Sequence, residues 1–199
     1  MSQGNASGNA AGSSFACVDG LHADAVQLLA RWAPADESQQ QLLVEFSQLL
    51  AERPDGMCRE CVPSHITASA LILDATGERV LLGLHRKVGL WLQMGGHCEA
   101  GDTTLAGVAL REAVEESGIA DLHLLPDPID LDKHAAPCAP GIAQWHFDVR
   151  FAAVAAAGSR PITSAESFDV RWFAIDDLPA GISPDLPRLV YAARQAVGG

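Results

Sequence analysis

Apolar residues recur every three or four positions along two early segments. Leu21 to Trp32 carries Ala25, Val26, Leu28, Leu29 and Trp32, and Gln39 to Glu52 carries Leu42, Leu43, Phe46, Leu49 and Leu50. That period lays one apolar stripe along a helix, so two helices are predicted. Pro34 and Asp36 break the first, and Arg53-Pro54-Asp55-Gly56 stops the second. The pattern then changes. Ile66 to Leu73 and Arg79 to His85 read as strands, and Asp74-Ala75-Thr76-Gly77 as the turn of their hairpin. Arg86 to Met94 reads as a loop. Strands are expected again at Leu122 to Leu125, Ile129 to His134, Ala143 to Ala155 and Phe168 to Ile175. Pro184 to Val197 carries Leu186, Leu189, Val190, Ala193 and Val197 on one side and predicts a closing helix. The expected organisation is a flexible tail over 1–16, an N-terminal helical extension over 17–60 and a main domain over 61–199. Strands around one central helix, with a terminal helix, predict an α/β sandwich.

The central helix lies in Gly95 to Ile119, GGHCEAGDTTLAGVALREAVEESGI. Within it, Glu112, Glu115 and Glu116 stand at i, i+3 and i+4 and crowd one face. Such repulsion is relieved by a hard divalent cation, because Mg2+ prefers carboxylate oxygens and keeps waters and substrate phosphates as its other ligands. Asp102 or Thr103 is expected to cap the helix, and Gly118 to end it. Ala106, Leu110, Ala113 and Ser117 form a face of mostly small residues suited to packing on a sheet. Gly107 is unfavourable inside a helix by about 1 kcal/mol relative to Ala.

Composition narrows the classes. The 199 residues are 48% hydrophobic and 19% charged, enough apolar material for one domain with an appendage. The net charge of −12 argues against nucleic-acid polymer binding, which needs a basic surface. It leaves room for a nucleotide, since a metal can supply local positive charge. No segment approaches the roughly 20 apolar residues of a membrane span, and MSQGNASGNAAGSS has neither the basic nor the apolar part of a secretory signal. The five cysteines, Cys17, Cys58, Cys61, Cys98 and Cys138, are odd in number, which fits reduced thiols in a cytoplasm. Cys58-Arg-Glu-Cys61 followed by His65 lacks a fourth ligand for a zinc site, so plain thiols are the preferred reading.

The central segment resembles the Nudix box, whose pattern is a Gly, five residues, a Glu, seven residues, then Arg-Glu-apolar-x-Glu-Glu-x-Gly-apolar. Arg111, Glu112, Ala113, Glu115, Glu116, Gly118 and Ile119 match it. The front half departs: the sixth position from Gly96 is Asp102, and eight residues separate it from Arg111. This reads as a one-residue insertion with a shortened acid. The resemblance implies an α/β/α sandwich with a mixed sheet over roughly 64–197. It also implies Mg2+, or Mn2+, on Glu112, Glu116, Glu115 and the carbonyl of Gly96, with Arg111 fixing one carboxylate. Glu166, in Glu-Ser-Phe-Asp-Val-Arg-Trp-Phe, resembles a frequent family arrangement in which that Glu lies near the metals. Glu166 and Glu115 are therefore candidates for the catalytic base, with a loop acid the even alternative for Glu166. Many relatives are dimers, so a homodimer is an expectation.

Other residues suit substrate. His85, Arg86 and Lys87 end a strand and could hold phosphates, or form an ordinary basic turn. His146, Asp148 and Arg150 alternate along one strand face, opposite Phe147, Val149 and Phe151. With Asp132 and His134 they make a substrate wall, unless they face water. His97 could touch a phosphate or serve as a structural hydrogen-bonder. Trp91, Trp145 and Trp172 could stack on a base or wall a groove. The function expected is Mg2+-dependent hydrolysis of a diphosphate linkage in a nucleoside diphosphate derivative. The rivals are a catalytically silent nucleotide-binding regulator and an isoprenoid diphosphate isomerase, for which Cys98 is a poor nucleophile.

Overall fold

A computed structural model describes residues 18–139 and 142–198. The expected tail and Cys17 lie outside them. Two helices come first, α1 (Val18–Arg31) and α2 (Glu37–Glu52). Asp36 opens α2 as well as separating it from α1: its side chain accepts from the Gln39 N–H at 2.9 Å. There follow β1 (Ser64–Leu73), β2 (Arg79–His85), β3 (Trp91–Leu92), β4 (Met94–His97), α3 (Leu105–Ser117), β5 (Leu122–Leu124), β6 (Asp130–Ala139), β7 (Ile142–Ala155), β8 (Ser167–Ala174) and α4 (Leu186–Gly198). Two expectations change. The segment Arg86 to Met94 is not all loop, because Trp91 and Leu92 pair with β2 and Met94 begins β4. The strand expected at Ile129 to His134 runs to Ala139, held along its length by β7.

All eight strands form one mixed sheet. β1 and β7 run parallel from Ser64↔Trp145 to Leu73↔Val154, and the other pairings are antiparallel. β1 and β2 are in register only at Ile72↔Leu81 and Leu73↔Val80. Nearer the start of β1 its edge passes to β4, while β2 takes β3. The sheet therefore splays where β1 leaves β2.

Alternation on β1 sorts the layers. Ile66, Ala68, Ala70 and Ile72 join the core under α1, α2 and α3. Leu71 and Leu73 belong to a second core with Leu186, Leu189, Val190 and Ala193 of α4. His65, Thr67 and Ser69 continue that second face in polar form, buried by the side chains around them. This is the α/β/α sandwich anticipated. The face of α3 toward the sheet is Leu105, Val108, Ala109, Ala113 and Ser117; Ala106 and Leu110 sit half-buried beside it. The N-terminal helices are stitched to the domain by polar contacts. Asp24 accepts from the Leu105 N–H at 2.8 Å, Trp32 donates to the Pro128 carbonyl at 2.5 Å, and Gln39 both donates to and accepts from the backbone of Leu131. No helix among the described residues is long and apolar enough to cross a membrane.

Candidate active site

A cleft of about 510 Å³ opens where the sheet splays. One wall is the N-terminal part of the box and the acidic face of α3. Thr104, not Asp102 or Thr103, caps α3, its hydroxyl accepting from Gly107 N–H at 3.0 Å. A Cβ on Gly107 would stand 2.9 Å from that hydroxyl, which accounts for a glycine there. Asp102 is instead free to grip Arg111, and it also accepts from the Glu99 N–H at 2.8 Å. Gly118 leaves the helix at φ 68°.

Gly95 and Gly96 are fixed by what they touch. A Cβ on Gly95 would fall 2.2 Å from the Cβ of Ser69, and one on Gly96 would fall 2.5 Å from Oε1 of Glu112. The strand thus lies flush against β1 on one side and against the carboxylates on the other. The Gly95 N–H donates to Glu116 at 2.8 Å. Arg111 donates to Glu112 at 3.0 Å, to Glu115 at 3.4 Å and to the His97 carbonyl at 2.9 Å.

Electrostatics sharpen the picture. Burial raises the Glu116 carboxyl to about 8, against the Gly95 N–H that favours its charge, and Glu112, Glu166 and Glu115 raise it further. Burial also raises Glu112, partly offset by Arg111. Burial disfavours the Arg111 charge, but Asp102 and Glu112 outweigh it and the guanidinium is held above its usual range. Glu166 lines the same cleft, exposed, immediately before β8, whose first residue Ser167 pairs with His85. A desolvated carboxylate group beside a glycine cradle, with two further acids facing it, is a donor set that suits a hard divalent cation.

The other wall is the polar face of β1, β6 and β7. Asp148 accepts from Thr67, Ser69 and Arg150. Arg150 is 3% exposed and sits among Asp130, Asp132, Asp148 and Asp185. It lines the cleft with its charge already met by carboxylates, so its part is to hold the wall. His85 and Lys87 line the cleft; Arg86 is not among the lining residues, donating to the Ser167 carbonyl and lying 4.7 Å over the Phe168 ring. No Trp is among the lining residues either: Trp91 packs on Phe173, and Trp145 lies under Lys133. His97, His134 and His146 do line it. Burial holds His97 near 4 and His146 near 3. Cys98 is not a lining residue, and burial pushes its thiol to about 12. Sequence patterning missed Asp185, Gln93 and Arg59 of the lining, because each arrives from a loop or turn without a repeat to mark it.

The NUDIX domain family matches residues 63–193. The chain belongs to that family. Solved structures repeat the fold. A NUDIX-family hydrolase from Clostridium perfringens is 24% identical, with a TM-score of 0.52 over 67% of this chain and 96% of the other. An Ap4A hydrolase from C. elegans in a binary complex is 18% identical, with a TM-score of 0.55 over 67% and 98%. The NUDIX domain of Shewanella oneidensis NrtR, complexed with ADP ribose, is 20% identical, with a TM-score of 0.54 over 76% and 97%. No curated protein matches the sequence. In this Nudix chain the acidic face of α3, the glycine pair and Glu166 meet in one cleft, whereas Asp102 is turned to Arg111.

Proposed function

We propose that this Nudix protein hydrolyses a diphosphate linkage in a nucleoside diphosphate derivative, with Mg2+ or Mn2+ held by Glu112, Glu115, Glu116 and the Gly96 carbonyl. The observation that carries the reading is geometric: buried Glu116 accepts from the Gly95 N–H at 2.8 Å, and Glu112, Glu115 and Glu166 line the same cleft; a hard divalent cation is the partner that such a carboxylate set fits. When bound, that cation neutralises diphosphate charge and lowers the pKa of water. Glu166, exposed on the cleft rim, accepts the proton of the attacking water. The water oxygen forms a bond to phosphorus as the bridging P–O bond breaks, and the leaving phosphate takes the electron pair. Lys87 and His85 face the phosphates from the end of β2. Arg111 acts through Glu112, whose carboxylate it orients, and touches no substrate. Asp148 and Arg150 hold the wall on which His146 stands.

The partner is a small nucleotide or other diphosphate; the net charge of −12 does not suit a nucleic-acid polymer. Cys58, Cys61 and Cys98 are thiols, as suits a reducing cytoplasm, and a homodimer accords with the family. The test is phosphate release with added phosphatase, over dinucleoside polyphosphates, ADP-ribose and nucleotide sugars, with and without Mg2+. Turnover that needs Mg2+ and falls at least roughly 1,000-fold in Glu116→Gln is expected, on the scale of lost electrostatic stabilisation. Tight nucleotide binding without turnover would assign the regulator. Isomerisation of an isoprenoid diphosphate without phosphate release would assign the third reading.

A further inference from the structure

Three histidines meet at the edge of the cleft: His97 and His146 line it, and His65 packs against both rings from outside the lining. His65 is opposite His146 in the β1–β7 ladder. His97 is opposite Thr67, and so shares its face with His65, two residues away. The ring centroids form a nearly equilateral triangle: 4.8 Å from His65 to His146, 5.1 Å from His65 to His97, and 4.9 Å from His97 to His146. One ring nitrogen from each lies within 4.8 Å of the other two, and among the described residues this is the one set of three His, Cys, Asp or Glu donors gathered so closely.

His65 adds a second, independent observation. Its Nδ1–H donates to the Cys61 carbonyl at 3.2 Å, which leaves Nε2 as an acceptor. That Nε2 is buried, in a residue 1% exposed, and has no hydrogen-bond partner. A buried acceptor left without a partner is destabilising, so something is expected to meet its lone pair. A backbone carbonyl fixing the far nitrogen of an imidazole is the usual way a metal-binding histidine is oriented. The residue that the sequence associates with Cys58 and Cys61 is thus turned toward two other histidines.

Three nitrogens suit a borderline cation and not the hard Mg2+ of the carboxylate wall. A tetrahedral zinc centre with bonds of about 2.1 Å needs its nitrogens roughly 3.4 Å apart; here they lie within 4.8 Å of one another, so the rings would close in on the ion. Three imidazoles would leave one position open, and His97 and His146 both line the cleft.

We propose that His65, His97 and His146 bind a divalent transition-metal ion, zinc in type, whose open position faces the cleft. His134, 5.3 Å from His146 by ring centroids and hydrogen-bonded to Asp132 at 2.8 Å, flanks that position.

The experiment uses the full chain, stripped with chelator and titrated with Co2+ alone. Visible absorption typical of a near-tetrahedral Co2+ centre, one ion per chain and displaced by one equivalent of Zn2+, is expected. His97→Asn and His146→Gln should each weaken binding by roughly 100-fold or more, since a direct ligand is lost. Both positions are half-buried, and circular dichroism checks that each variant is folded. Glu116→Gln, and the pair Cys58→Ser with Cys61→Ser, should leave the spectrum in place. The proposal is overturned if no such band develops, or if the band survives both histidine variants. It is equally overturned if the band is lost in Glu116→Gln or in the cysteine pair, which would put the ion on carboxylates or thiolates. The readout needs no Mg2+ and no substrate, so its failure and that of the hydrolytic reading are separate.

Discussion

Asp102 holds Arg111 by two hydrogen bonds, from Nε at 3.3 Å and from Nη2 at 3.0 Å. Through that guanidinium the box loop is tied to Glu112 and Glu115 on α3. A planar fork can serve three carboxylates at once, whereas an ammonium cannot match that geometry. Arg111→Lys and Asp102→Asn are therefore expected to raise the Mg2+ concentration for half-maximal turnover by roughly 10–100-fold, the usual scale for partners that orient ligands. A Mg2+ titration of activity checks this; unchanged half-saturation in both variants would remove Arg111 from that role.

Neighbouring glycines are expected to fail in different ways. A methyl group at Gly95 meets the Cβ and Cα of Ser69 at 2.2 and 2.7 Å, so backbone must move. Gly95→Ala should cost about 3 kcal/mol or more, lowering Tm by roughly 6–12 °C. At Gly96 the three atoms nearest the methyl are all in the carboxylate of Glu112, the far end of a flexible side chain, which can swing aside. Gly96→Ala should keep Tm within about 2 °C while turnover falls at least roughly 100-fold. Thermal melts and assays of the two variants decide it, and a reversed order would contradict the packing described.

The raised carboxyl of Glu116 makes a signed pH prediction. Its ordinary value is 4.5 and its folded value about 8. Between these the folded chain binds the extra proton, so its contribution to stability is full below 4.5 and is lost as pH rises through about 8. Without metal, the Tm of the wild type should fall relative to Glu116→Gln as pH goes from 5 to 8.5. Added Mg2+ should shrink that difference by favouring the charged form. Parallel curves for the two proteins, with and without Mg2+, would show that Glu116 is not desolvated as described.

Gln39 tests the attachment of the N-terminal helices. Its side chain donates to the Leu131 carbonyl at 3.0 Å and accepts from the Leu131 N–H at 2.7 Å, with 3% exposure. Gln39→Ala leaves two strand groups unpaired and should cost about 2 kcal/mol, or roughly 4–8 °C in Tm. Gln40→Ala, on the exposed side of the same helix, should change little. Calorimetry on both variants separates a docked extension from an appended one.

The sequence by itself determined what repeats locally. The helical stripe from Leu42 to Leu50, the alternation of His146, Asp148 and Arg150, and the spacing of Glu112, Glu115 and Glu116 are each written within one segment, because helix and strand periods depend only on near neighbours. The box half from Arg111 to Ile119 named the family for the same reason. Tertiary structure decided what depends on residues far apart in the chain. Asp102 was legible as a helix cap but is taken by Arg111, which left Thr104 to cap. Arg150 was legible as a substrate cation, yet carboxylates from β6, β7 and the start of α4 converge on it. His65, His97 and His146 are separated by 31 and 48 residues in the sequence, and only strand pairing brings their rings within 5.1 Å. Charge and coordination act through space, so a partner set by sheet register has no period along the chain to reveal it.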